Sequence, residues 1–170
     1  MAPKWFSRHS AQHPAVPAGP AWPANLRTAA PMQPLHLLKT YLVEDSPVIR
    51  ENLIATLEEL APVSVVGTAE DEASALAWLG GPGHAVDLLI IDIFLKGGSG
   101  LGVLRAAQGL PLTAHRVVLS NYATADMRQR CLQLGADRVF DKSSDIDALI
   151  LYCQQLAADE SAHHIASAPA

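Results

Sequence analysis

Two periods of hydrophobic and polar positions alternate along most of this chain. Residues 37–43 form an apolar run that ends in an acidic pair, Glu44-Asp45. Ser46-Pro47 then supplies a capping hydroxyl with proline at the first helical position. Ile49, Leu53, Leu57 and Leu60 follow at helical spacing. Pro62 stops that helix, and residues 63–67 read as a short strand. A second, Ala-rich helix is predicted over 71–79, closed by Gly80-Gly81-Pro82-Gly83. Residues 86–91 are nearly all apolar, as expected of a central strand buried on both faces. A Gly-rich loop at 96–100 leads to a helix over 101–108, then a strand over 116–119. A fourth helix spans 124–134, ended by Gly135, and residues 138–140 form the fifth strand. Ser144-Asp145-Ile146-Asp147 opens the last helix with a near capping box. Five βα units in this order predict an α/β fold, a doubly wound parallel sheet with helices on both faces.

Polar residues stand where the apolar runs give out. Glu44 and Asp45 follow the first strand, Asp92 the third, Ser120 the fourth and Lys142 the fifth. In an open parallel sheet the strand carboxyl ends share one edge, and ligands bind there at the switch in strand order. Three carboxylates, a hydroxyl and an ammonium therefore converge in one crevice. At ~4 Å and an effective dielectric near 20, each carboxylate pair repels by about 4 kcal/mol, which a divalent cation relieves.

Composition narrows the classes of function. The 170 residues carry a net charge of −5 with no Lys/Arg-rich block, which argues against a nucleic-acid-binding stripe. No uninterrupted apolar run approaches the roughly 18–20 residues of a membrane span, so no membrane role is expected. Two cysteines, Cys131 and Cys153, and no secretory segment point to reduced thiols and a cytoplasmic setting. Residues 1–34 are Ala/Pro-rich without period and read as a disordered extension, with Met32 a candidate start. Residues 35–157 read as the folded domain and 158–170 as a flexible tail.

Val43-Glu44-Asp45-Ser46-Pro47, Leu89-Ile90-Ile91-Asp92, Val118-Leu119-Ser120-Asn121 and Phe140-Asp141-Lys142-Ser143 together resemble the four motifs of the response-regulator receiver domain of two-component signalling. Their order and spacing carry the resemblance, since an Asp after an apolar strand is common alone. It implies the flavodoxin-like strand order 2-1-3-4-5, an order for which a receiver is among the standard illustrations. It also implies Asp92 as phosphoacceptor, and Mg²⁺ held by Glu44, Asp45, Asp92 and the backbone carbonyl of Phe94. Ser120 and Lys142 would then read the phosphorylated state. The implied partners are a sensor histidine kinase or histidine phosphotransfer protein and a downstream protein target. A homodimer through the fourth helix, fifth strand and fifth helix is one arrangement it allows.

This sequence departs from the family pattern in places. Val139 stands where the family has its switch aromatic, and Phe140 beside it points to the opposite face. Lys96 replaces the usual proline, which predicts a more mobile and more positive loop. Phe94 and Tyr122 are expected to rim the pocket and restrict the attacking water.

Other residues have plainer readings. His84, His115, His163 and His164 lack ligand spacing on one helix, Gly97-Gly98-Ser99-Gly100 reads as turn geometry, and Trp78, Met127, Cys131 and Leu134 as packing residues. Asp141 and Asp145 read as charges at a strand end and a helix start. The expected function is a response regulator that acts by docking without its own output domain, catalysing only its own phosphorylation and dephosphorylation. The alternatives are a phosphorylation-independent receiver-like interaction domain and a haloacid-dehalogenase-like phosphatase. The phosphatase would need a proton-donating Asp at position 94, where this chain has Phe94.

Overall fold

The computed structural model describes residues 36–166, and the expectations for residues 1–34 lie outside that range. The described chain runs β1 (Leu38–Val43), α1 (Pro47–Leu60), β2 (Val63–Ala69), α2 (Glu72–Leu79), β3 (Leu88–Ile91), α3 (Gly100–Gln108), β4 (His115–Ser120), α4 (Ala125–Gln133), β5 (Arg138–Asp141) and α5 (Ile146–Ala166). The strands form one parallel sheet in the order β2-β1-β3-β4-β5. This is the doubly wound, flavodoxin-like arrangement, with β3 at its centre.

Strand periodicity divides the core into two layers. Leu89, Ile91, Val118 and Val139 face one layer with Val103, Leu104 and Cys131 of α3 and α4. Leu88, Ile90, Val117, Leu119 and Phe140 face the other, with Leu53 and Leu57 of α1 and Leu149 and Cys153 of α5. The two free cysteines thus lie on opposite faces of the sheet, and burial pushes the Cys153 thiol up to about 12. Met127 and Leu134 pack beside Cys131 as their helical spacing predicts. Trp78 stacks on the buried Tyr41 ring at 3.9 Å between centroids, with His84 on it at 4.0 Å.

Helix starts follow the local signals. Ser46, Asp71, Ser99 and Thr124 each accept a backbone N–H of the first turn they precede. Asp145 differs from the expected capping box: its carboxylate turns back to accept the Asp141 N–H at 2.9 Å. The expected tail from residue 158 also differs, because α5 continues to Ala166. Alanine-rich sequence favours helix there, and residues 158–166 contain no proline or glycine. The extension is engaged as well: Ser161 donates to the Ala157 carbonyl at 2.6 Å and accepts the His36 N–H at 2.7 Å.

Candidate functional site

β1 and β3 are adjacent, with Val43 paired to Ile91, so Glu44 and Asp92 emerge side by side at the carboxyl edge. Both are buried, Glu44 to 1% and Asp92 to 7% exposure. One carboxylate oxygen each of Glu44, Asp45 and Asp92 falls within 4.8 Å of the other two. Among the described residues this is the group of three or more acidic, His or Cys side chains placed to share a metal ion.

Lys142 reaches this cluster from the end of β5. Its Nζ donates to Glu44 Oε2 at 2.5 Å and to Asp92 Oδ2 at 2.7 Å. Glu44 as a partner of Lys142 had no signal in the sequence. The remaining oxygens are held by backbone amides. Ser46 N–H donates to Glu44 Oε1 at 3.1 Å, Phe94 N–H to Asp92 Oδ1 at 3.3 Å and Lys96 N–H to Asp45 Oδ2 at 3.2 Å. A proline at 96 would lack that last donor, so the substitution that predicts a looser loop also supplies a tether. The Lys96 ammonium adds positive charge 3.9 Å from Asp45.

Ser120 is fully buried at the end of β4, and its hydroxyl accepts the Tyr122 N–H at 3.4 Å, engaging its own loop. The structure thus joins Glu44, Asp92 and Lys142 by hydrogen bonds, sets an Asp45 oxygen within 4.8 Å of the other two carboxylates, and ties Ser120 to Lys142 through the Lys142 N–H, which donates to the Ser120 carbonyl at 3.2 Å. Phe94 and Tyr122 stand at the rim, 51% and 66% exposed, their rings edge to face at 5.4 Å.

The donor set suits a hard divalent cation. Three carboxylates against the buried ammonium of Lys142 and the exposed one of Lys96 leave net negative charge, and oxygen ligands are what Mg²⁺ takes.

The loop after β3 owes its shape to close packing. Gly98 adopts φ +84°, as turn geometry requires, but the glycines also make room for Glu72. A Cβ on Gly98 or Gly102 would lie 2.5 or 2.0 Å from Glu72 side-chain atoms. The Glu72 carboxylate accepts the Ser99 N–H at 2.8 Å at the N-terminus of α3, where negative charge is favoured. Gly100 packs so tightly on β3 that a Cβ there would stand 1.9 Å from the Asp92 carbonyl oxygen. Sequence reading missed Glu72, whose partner is 27 residues away.

It missed Arg128 too, and with it the partners of Asp145, which the sequence offers only as a helix-start charge. Arg128 Nε donates to the Ala123 carbonyl at 3.0 Å, one terminal nitrogen donates to the Val139 carbonyl, and the other pairs with Asp145 Oδ2 at 3.1 Å. The Asp141 amide, followed by Arg128, holds the Asp145 carboxyl below the usual carboxylate range.

Residues 40–154 match the response regulator receiver domain, and the chain belongs to that family. Receiver domains are generally non-enzymatic signalling domains that interact with histidine kinases or phosphotransfer proteins and typically bind Mg²⁺ at an acidic pocket. A Pseudomonas aeruginosa PAO1 protein that carries a transcriptional-regulator name is 31% identical over 120 residues, 71% of this chain and 56% of that protein. The transcriptional regulatory protein MalR of Bacillus subtilis strain 168 is 28% identical over 100 residues, 59% of this chain and 42% of MalR. The chain therefore spans about half the length of the curated relatives it matches. Among solved structures, the signal receiver domain of a Mycobacterium tuberculosis NarL protein aligns with TM-score 0.62 at 26% identity, covering 71% of this chain and 98% of that one. A Burkholderia pseudomallei response regulator, solved with a phosphorylated aspartic acid and a calcium ion, shares the fold with TM-score 0.58 at 23% identity, covering 77% of this chain and 75% of that one. No described helix is long and apolar enough to cross a membrane.

Proposed function

We propose that this protein is a phosphoacceptor of a two-component or phosphorelay system, modified on Asp92 from a histidine of a partner and acting by protein–protein docking. The observation that carries the reading is the buried Asp92 carboxylate, sharing one ammonium with the buried Glu44 and lying beside a third carboxylate, Asp45. A bare structural ion pair needs one carboxylate, and burying a second against the same ammonium is costly unless a cation compensates.

In the proposed reaction an Asp92 oxygen attacks the phosphorus of a phosphohistidine. The P–N bond breaks, the electron pair stays on the imidazole nitrogen, and an acyl phosphate forms on Asp92. Mg²⁺ held by Glu44, Asp45, Asp92 and the Phe94 carbonyl would offset charge on the transferring group. Lys142 would exchange its carboxylate partners for a phosphoryl oxygen, and Ser120 would turn its hydroxyl from the Tyr122 amide toward the same group. Reversal is hydrolysis: water attacks the phosphorus and releases inorganic phosphate and the Asp92 carboxylate. The Phe94–Tyr122 pair stands over that approach and slows it.

Acetyl phosphate with Mg²⁺ tests this. One phosphoryl mass gain is expected in the wild type and none in Asp92→Asn. A Phe94→Asn/Tyr122→Glu double variant should lose the group faster, and an unchanged lifetime would remove the aromatic rim from the mechanism. Wild type without mass gain or Mg²⁺ affinity would instead indicate the phosphorylation-independent interaction domain.

A further inference from the structure

We infer that Arg128 is a positioning residue that couples the Ser120 loop to the β5–α5 junction, supplying in this chain a relay for which Val139 has no ring. The inference rests on the phosphoacceptor reading of Asp92. One guanidinium here spans three segments. Through Nε it holds the Ala123 carbonyl, three residues beyond Ser120 in the same loop. Through one terminal nitrogen it holds the carbonyl of Val139 itself, and through the other the Asp145 carboxylate at the start of α5. Asp145 closes the circuit on β5, accepting the Asp141 N–H while its own N–H donates to the Asp141 carbonyl, both at 2.9 Å. Asp141 is the residue immediately before Lys142.

The chemistry of the fork makes this arrangement a coupling rather than three independent contacts. A guanidinium is planar, with its donors at fixed angles, so displacing one acceptor tilts the plane against the other two. A lysine could follow one acceptor with a single point charge and release the rest. Ser120 turning toward a phosphoryl group draws on the loop that carries Ala123. Lys142 shifting its ammonium draws on the strand end beside Asp141. Both displacements arrive at the same side chain, and Val139 is gripped there by its backbone, which every residue type possesses. Arg128 and Asp145 are partly exposed, so rearranging them does not require opening the core.

The full chain tests this through backbone amide NMR with beryllofluoride and Mg²⁺, reading Tyr122 and Ala123 for the loop and Val139 and Asp145 for the junction. In the wild type both sets should shift, and neither in Asp92→Asn. In Arg128→Ala the loop should respond as before while the junction response falls severalfold. Arg128→Lys should restore only part of it, because charge returns without the fork. A merely structural role for Arg128 would lower stability yet leave the junction response intact, and that result overturns the coupling alone. Should Arg128→Ala fail to fold, Arg128→Lys and Asp145→Asn carry the test, and full junction responses in both overturn it. A wild type silent at loop and junction alike overturns the phosphoacceptor reading together with the coupling.

Discussion

The two flanks of Asp92 are built from different kinds of bond. On the β3–α3 side the chain is closed by its own backbone and by tight packing. Gly100 N–H donates to the Ile93 carbonyl and Glu72 N–H to the Gly97 carbonyl, each at 2.9 Å, and Glu72 fills the space the glycines leave. On the β4–β5 side the connections are long side chains, Lys142 into the carboxylates and Arg128 across loop, strand and helix. Backbone closures and glycine contacts have few alternative arrangements. Side chains with several rotors can change acceptors without unfolding anything. One flank therefore suits a fixed frame for metal and phosphoryl oxygens, and the other suits the part that responds.

The largest effect should come from removing the side chain that crosses from one flank to the other. Lys142→Met leaves Glu44 and Asp92 buried with no ammonium and should cost ~3–5 kcal/mol in Mg²⁺-free buffer, read by urea unfolding. Adding Asp92→Asn should recover part of the loss, because one of the stranded charges is gone. If Lys142→Met unfolds at the wild-type midpoint, the responsive flank does not carry the electrostatic balance assigned to it.

The fixed flank is best tested at Gly100. Its Cβ would meet Asp92 backbone, which cannot swing aside, so Gly100→Ala should cost about 1–3 kcal/mol. Phosphorylation by acetyl phosphate should slow with it, since the displaced atoms belong to Asp92 itself. Full phosphorylation at the wild-type rate would show that the frame tolerates movement and would erase the contrast.

The smallest effect concerns acid. The folded Asp145 carboxyl lies below its ordinary value, so its contribution is present above about pH 4, the unfolded carboxylate range, and is lost as pH falls through the lower folded value. Asp71 and Asp141 are held down in the same direction, chiefly by the Ser74 amide and the Ser143 hydroxyl respectively. Stability should therefore stay level from pH 5 to 8 on their account and decline below about pH 4. Asp145→Asn should make that acid decline slightly shallower in a urea series, and a steeper one would contradict the sign.

The elements and the identity of the cluster were legible because they are written in local pattern. An apolar run followed by a polar residue specifies a strand end, parallel order puts such ends on one edge, and Ser46 caps the helix beside the first of them. The opposite facings of Val139 and Phe140 follow from the strand period alone. Three features were decided only by tertiary structure. Lys142 shares itself between Glu44, 98 residues away, and Asp92, 50 residues away, which depends on strand order rather than on neighbours. Glu72 occupies the glycine loop because α2 and α3 lie side by side on one face of the sheet. Arg128 finds backbone carbonyls, acceptors that every residue carries and that no residue type can announce. Periodicity and capping are properties of a stretch of chain, whereas a guanidinium's choice among carbonyls exists only once the strands that present them have been brought together.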